Sequence, residues 1–256
     1  MARSFNGTSD AIDCNVTGGV LDLANNAAFS FVAWFNTTTV AGPYQTIAGK
    51  IYSGTDTPYA FSINTGAVNH RLGVGSYNGT VHGVVAITSF VANTWHHYYA
   101  DYDGATWHLY LDGVSIGSST DATGPVHAST DFQIGQANGG QLMSGSLADL
   151  AMFNGPLTAG EIAALASGMR PPQIRTHTLL GYWPLDGLSS PEPDLSGNKN
   201  NGTLTGTAFA PGPPIALFTP RAPQLISPPP PIFQWYPMDD SQNAWLNANK
   251  LEVVGY

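Results

Sequence analysis

Between Phe29 and Leu150, runs of Val, Ile, Phe, Tyr, Trp and Thr are cut about every ten residues by a turn signal, and this rhythm is what most constrains the fold. The interruptions are Ala41-Gly42-Pro43, Gly54-Thr55-Asp56, Asn64-Thr65-Gly66, Asn78-Gly79, Asp103-Gly104, Asp112-Gly113 and Asn138-Gly139-Gly140. Short strands separated by Gly-rich turns mark an antiparallel sandwich or barrel. Trp107-His-Leu-Tyr-Leu111 alternates apolar with polar or amphipathic residues and closes on Asp112-Gly113, so one face is core and the other meets solvent. Phe61-Ser-Ile63 and Leu72-Gly-Val74 repeat the habit, leaving Ser62, Gly73, Gly75 and Tyr77 for the outer face. Only 10% of the 256 residues are charged, against about 25% in an average globular protein, and 29 Gly and 19 Pro supply the turns instead.

The net charge is −9, which lacks the basic footprint of a nucleic-acid binder and disfavours anionic membranes as partners. Cys14 is the single cysteine, so no internal disulfide forms, and it reads as a small buried hydrophobe. The segment Met1–Thr8 lacks the apolar stretch of a secretory signal, and no run of eighteen apolar residues occurs. The expectation is a soluble protein made in the cytoplasm.

Thr158-Ala-Gly-Glu161 predicts one short helix through a capping box, with Ile162, Leu165 and Ala166 as its apolar stripe and a stop at Gly168 before Pro171-Pro172. A further strand is expected in Thr178–Leu185, followed by the polar loop Asp194–Gly202 and an apolar return at Thr203-Leu204. After Gly206 the composition changes: ten of the nineteen prolines lie between Pro211 and Pro237, which favours extended polyproline geometry. Residues 1–206 therefore read as one domain and 207–256 as an extended Pro-rich arm, anchored for assembly by Phe233, Trp235, Tyr236 and Trp245.

Several strings resemble the laminin G-like group of the concanavalin A-like lectin and glucanase superfamily. They are Ser4-Phe-Asn-Gly7 with Asp10, Phe29-Ser-Phe-Val-Ala-Trp34, Trp95-His-His97 with Asp103-Gly104, Leu109-Tyr-Leu-Asp-Gly113, Ile134-Gly135, and Gly145–Asp149 running on to Glu161-Ile162. The resemblance implies an all-β fold, a two-sheet antiparallel jelly roll. Gly181-Tyr-Trp-Pro-Leu-Asp186 and Asp194-Leu-Ser-Gly-Asn198 usually open such a domain, yet here they close it, so the module reads as circularly permuted. The alternative is a truncated second copy beginning near Thr178, which leaves too few strands for its own core.

Glycan-cleaving members of that superfamily use paired glutamates on one strand, because retaining hydrolysis needs two carboxylates flanking the bond. The three glutamates here are Glu161, Glu192 and Glu252, none in a Glu-x-Asp-x-Glu strand, and this excludes that route. His96 and His97 are adjacent on a strand and point to opposite faces, which favours structural roles. Calcium is open: the resemblance implies that Asp10, Asp194 and Asn198 converge as hard oxygen ligands, while the competing and preferred reading is an Asx-turn loop. For glycan binding, rings stack on apolar sugar faces, and Tyr52, Tyr59, Tyr77, His82, His108 and Tyr110 are the candidates by their expected outer-face or loop positions. Core or subunit-interface use of each ring competes with that role.

Two functions fit: a carbohydrate-binding module of a cell-surface or secreted assembly, and a non-enzymatic structural protein. The second is preferred, since the short form resembles phage virion proteins, in capsid decoration or tails. Other virion subunits and copies of itself are the expected partners, with a surface glycan as a further one.

Overall fold

The computed structural model describes residues 1–14, 18–50, 56–64, 70–128, 130–136, 140–187 and 189–214. Tyr52, the turn residues Gly54-Thr55, Thr65-Gly66 and Asn138-Gly139, Glu252, and the arm residues Phe233, Trp235, Tyr236 and Trp245 lie outside them. The strands run in chain order as β1 (Ala2–Asn6), β2 (Ala11–Asp13), β3 (Phe29–Thr37), β4 (Gln45–Lys50), β5 (Asp56–Ile63), β6 (Arg71–Asn78) and β7 (Val81–Ile87). They continue as β8 (His96–Tyr102), β9 (Thr106–Leu111), β10 (Val114–Thr120), β11 (Phe132–Ile134), β12 (Ser144–Phe153), β13 (Leu179–Trp183), β14 (Thr203–Thr205) and β15 (Ala208–Ala210). Every pairing is antiparallel. An eight-stranded sheet has the order β10-β9-β8-β3-β12-β1-β15, with β13 also on β12; a seven-stranded sheet has the order β14-β2-β11-β4-β5-β6-β7.

The all-β sandwich expected from the turn rhythm is what forms. In β9, Trp107, Leu109 and Leu111 are buried while Thr106, His108 and Tyr110 are half-buried, as the alternation requires. Between the sheets, Phe31 and Phe61 stack with centroids 3.7 Å apart and Phe132 stacks on Trp183 at 5.1 Å. Through Trp183 the strand β13 belongs to the same core as Phe5, so residues 179–183 are no separate unit. The long strand β12 changes partner along its length: Ser144–Leu147 pair with β1, and Leu150–Phe153 pair with β13. The change falls at Asp149, whose φ of +45° and register shift mark a bulge. A buried Arg3–Glu192 ion pair also joins the two ends of the domain. β15 pairs with β1, so the sandwich extends past the boundary at residue 206 read from composition.

The helix α1 (Ala159–Ala166) has the expected capping box between Thr158 and Glu161, and it buries Ile162 and Leu165. A second, four-residue helix α2 (Pro171–Ile174) starts where only a stop was expected; proline suits the first turn of a helix, whose N–H groups have no partner anyway. Both lie beside the outer face of the eight-stranded sheet. There Ile162 and Leu165 join Val32, Tyr99, Phe153, Leu179 and Tyr182 in a second hydrophobic cluster, against which Ile174 packs. No helix among the described residues is long and apolar enough to cross a membrane.

Candidate functional site

The outer face of the seven-stranded sheet is built in cross-strand rows. Gly49, Ala60, Gly75 and Gly83 are successive partners across β4, β5, β6 and β7, so one row carries no side chain larger than a methyl group. Ser62, Gly73 and Val85 form the row on one side, and Thr57, Tyr77 and Val81 the row on the other. Tyr44, just before β4, is hydrogen-bonded to Ser62, and burial raises the pKa of its hydroxyl. The result is a groove of about 310 Å³ floored by Ala60, Gly73 and Gly75 and bordered by Tyr44, Thr57, Tyr77, Val81 and Val85. None of its lining residues is ionisable except the two tyrosines.

The floor is small because the backbones meet there. A Cβ on Gly75 would lie 2.2 Å from the His82 carbonyl oxygen, and one on Gly83 would lie 2.2 Å from that of Val74. Gly83 also has φ +145°, which disfavours any side chain.

Of the residues singled out in the sequence, Tyr77 lines this groove, with Ser62, Gly73 and Gly75 on the face expected of them. His82 points to the opposite face of β7, with Nδ1 2.9 Å from Asp121 Oδ2 and Nε2 3.1 Å from Asn78 Oδ1. Tyr59 is corrected to the core: it is fully buried and its hydroxyl donates to the Leu21 carbonyl at 2.8 Å. The alternation that buries Phe61 and Ile63 runs on through Tyr59, and that signal was in the sequence. His108 and Tyr110 lie on the outer face of the other sheet. His108 Nδ1 is 2.8 Å from Asp101 Oδ1, and Tyr110 packs edge-on against Tyr99 at 5.4 Å. The groove residues missed were Tyr44, Thr57, Ala60, Val81 and Val85. In β7, Val81, Val84, Val85, Ala86 and Ile87 put apolar side chains on both faces, so alternation could not say which face was core.

Asp194 Oδ1 accepts from the Tyr182 and Ser196 N–H groups, and Oδ2 from the Asn200 backbone and side-chain N–H groups. The Ser196 bond closes an Asx-turn. Asn198 Nδ2 donates to the Leu179 and Leu180 carbonyls, while Asp10 Oδ2 accepts from Asn6 N and Oδ1 from the Ser9 hydroxyl. Among the described residues, no group of three or more His, Cys, Asp or Glu side chains is placed to hold a metal ion. Two of the glutamates are structural. Glu161 accepts from Nε and Nη2 of Arg175, both at 2.6 Å, which holds its carboxyl down at about 2, and Glu192 pairs with Arg3.

Two antiparallel sheets carrying an open groove on one outer face define the lectin-like sandwich class. Residues 6–163 match the laminin G family model described as the concanavalin A-like lectin/glucanases superfamily, and the chain belongs to that family. Its structure is similar to that of a candidate carbohydrate-binding protein from Bacteroides ovatus ATCC 8483, with a TM-score of 0.62 and 19% identity over 84% of this chain and 61% of that one. The chain thus spans about three fifths of that protein. It is also similar to domain 4 of the extracellular arabinanase AbnA from Geobacillus stearothermophilus, solved with arabinotriose, with a TM-score of 0.51 and 19% identity over 64% and 76% of the two chains. The heptameric SAP-like pentraxin of Limulus polyphemus gives a TM-score of 0.50 and 19% identity over 66% and 84%. At this identity the likeness is one of fold. The curated proteins gave no match.

Proposed function

We propose that the protein is a non-catalytic carbohydrate-binding module that holds a glycan in the groove of the seven-stranded sheet. The observation that carries this reading is the lining itself: tyrosine rings and valines flank a floor of small residues, with hydroxyls from Thr57 and Ser62 beside them and no carboxylate to attack or protonate a glycosidic bond. The arabinotriose complex of AbnA domain 4 and the description of the Bacteroides protein support it at the level of fold. The test is calorimetric titration of the full chain with a panel of oligosaccharides, repeated on Tyr44→Ala and Tyr77→Ala. At least one oligosaccharide binds, and each substitution weakens it about tenfold, or about 1.4 kcal/mol. Binding that both substitutions leave intact puts the site elsewhere.

The finer reading is of this module on a virus particle, with the chain after β15, residues 211–256, as its assembly arm and neighbouring subunits as its partners. The composition change after Gly206 supports the arm, and β15 moves its start outward. Deleting 211–256 is expected to leave the sandwich folded and abolish particle incorporation. The chain order reads as a circular permutation. In support, β13 and β1 lie end to end along one flank of β12, and Gly187 packs against the Ala2 carbonyl.

A further inference from the structure

We infer that the groove selects an uncharged, linear oligosaccharide lying across the strands, and rejects acidic sugars; this rests on the groove being the glycan site.

The strand residues that line the groove come from β5, β6 and β7, two strand spacings or about 10 Å at the usual spacing of about 4.8 Å. Between the bordering rows, Gly73 and Tyr77 are four residues apart on β6, about 13 Å at a rise of about 3.3 Å per residue. Tyr44 above Ser62 and Tyr77 therefore bracket a trough that one pyranose or furanose ring does not fill, whereas a chain of rings does. β7 is the last strand of its sheet, so the trough is open at that end and a longer polymer can run out of it.

A sugar carboxylate entering this trough loses its water shell and finds no lysine, arginine or histidine among the lining residues to replace it. The net charge of −9 opposes its approach as well. A neutral chain loses only hydroxyl hydration, which Thr57, Ser62 and the two tyrosine hydroxyls can restore, and its apolar ring faces meet Tyr77, Val81 and Val85.

The experiment titrates the full chain with arabinotriose, cellotriose, laminaritriose, the matching monosaccharides, α2,3-sialyllactose and trigalacturonate, on wild type and Tyr77→Ala. A neutral trisaccharide is expected to bind about tenfold or more tighter than its monosaccharide and than either acid, with an affinity that added salt leaves unchanged. Tyr77→Ala weakens that binding about tenfold. Preferential binding of an acidic trisaccharide that Tyr77→Ala weakens about tenfold overturns the selectivity and leaves the groove as the glycan site. A monosaccharide bound as tightly as its trisaccharide overturns the linear-chain part. No binding by any of the sugars, or binding indifferent to Tyr77→Ala, overturns both the selectivity and the groove reading.

Discussion

The outer face of the eight-stranded sheet is roofed by α1 and loaded with large side chains, whereas the middle row of the seven-stranded sheet offers nothing beyond the methyl of Ala60 across β4 to β7. The first face hides its polar groups: Asp149 accepts from the Tyr182 hydroxyl at 2.6 Å, and Tyr99 Oη accepts from Leu157 N at 2.9 Å. The second leaves Val81 74% and Tyr77 38% exposed beside a groove. One sheet spends its outer face on stability and the other keeps its outer face for contact. The difference also shows that sandwich membership alone does not locate a site, because His108 and Tyr110, outward-facing as expected, sit on the wrong face for the groove.

The contrast breaks most severely at Gly83, where contact surface and backbone architecture coincide. Gly83→Val forces a side chain against the Val74 carbonyl at a positive φ, and the expected loss is about 4 kcal/mol in urea unfolding, together with all glycan binding. A loss under about 1 kcal/mol shows that β6 and β7 can separate without cost.

The two faces are expected to dissociate cleanly elsewhere. Leu165→Ala, under the helix roof, costs about 3 kcal/mol and leaves glycan affinity unchanged. Tyr77→Ala costs about 0.5 kcal/mol of stability and weakens glycan affinity about tenfold. If Leu165→Ala weakens the sugar as much as it weakens the fold, the division of labour between the faces is wrong.

On the covered face His97 adds a pH dependence. Its ring lies edge-on to Trp34 at 5.2 Å, Nδ1 has no partner, and burial lowers its pKa from 6.5 to about 4 despite the pull of Asp112. Between those values the unfolded chain binds a proton that the folded chain refuses, so stability falls as pH drops from about 6.5 to about 4. The expected loss is about 3 kcal/mol, and His97→Gln flattens that part of the profile. An unchanged slope in the variant assigns the dependence to another group. The smallest effect is expected from chelation. With Asp194 already taking four N–H donors, EDTA leaves the melting temperature where it was, and a fall of several degrees would revive the calcium site.

The sandwich was legible because strands alternate and turns are written in Gly, Asn and Asp; β9 and the capped helix α1 follow their patterns residue by residue. α2 was hidden because its prolines read as a stop rather than as a first turn. The groove was half legible. Ser62, Gly73, Gly75 and Tyr77 were placed on the outer face by period two, but cross-strand neighbours such as Ala60 and Gly83 meet only through register, which no single strand encodes. Tyr44 comes from outside the strands altogether, and nothing in its own stretch, Gly42-Pro43-Tyr44, points to the sheet.

The change of partner along β12 has a consequence for how the protein comes into being. Residues 144–153 leave the ribosome long before Leu179–Trp183, so during synthesis the upper flank of the strand stays bare, and β1 has no outer neighbour until Ala208–Ala210 emerges. Contacts this remote in sequence are slow to form. The nascent chain thus carries two unsatisfied strand flanks until Leu179–Trp183 has been added and one until about residue 210. During that interval it is open to false pairing with another copy of itself, and completion of the C-terminal strands ends the exposure.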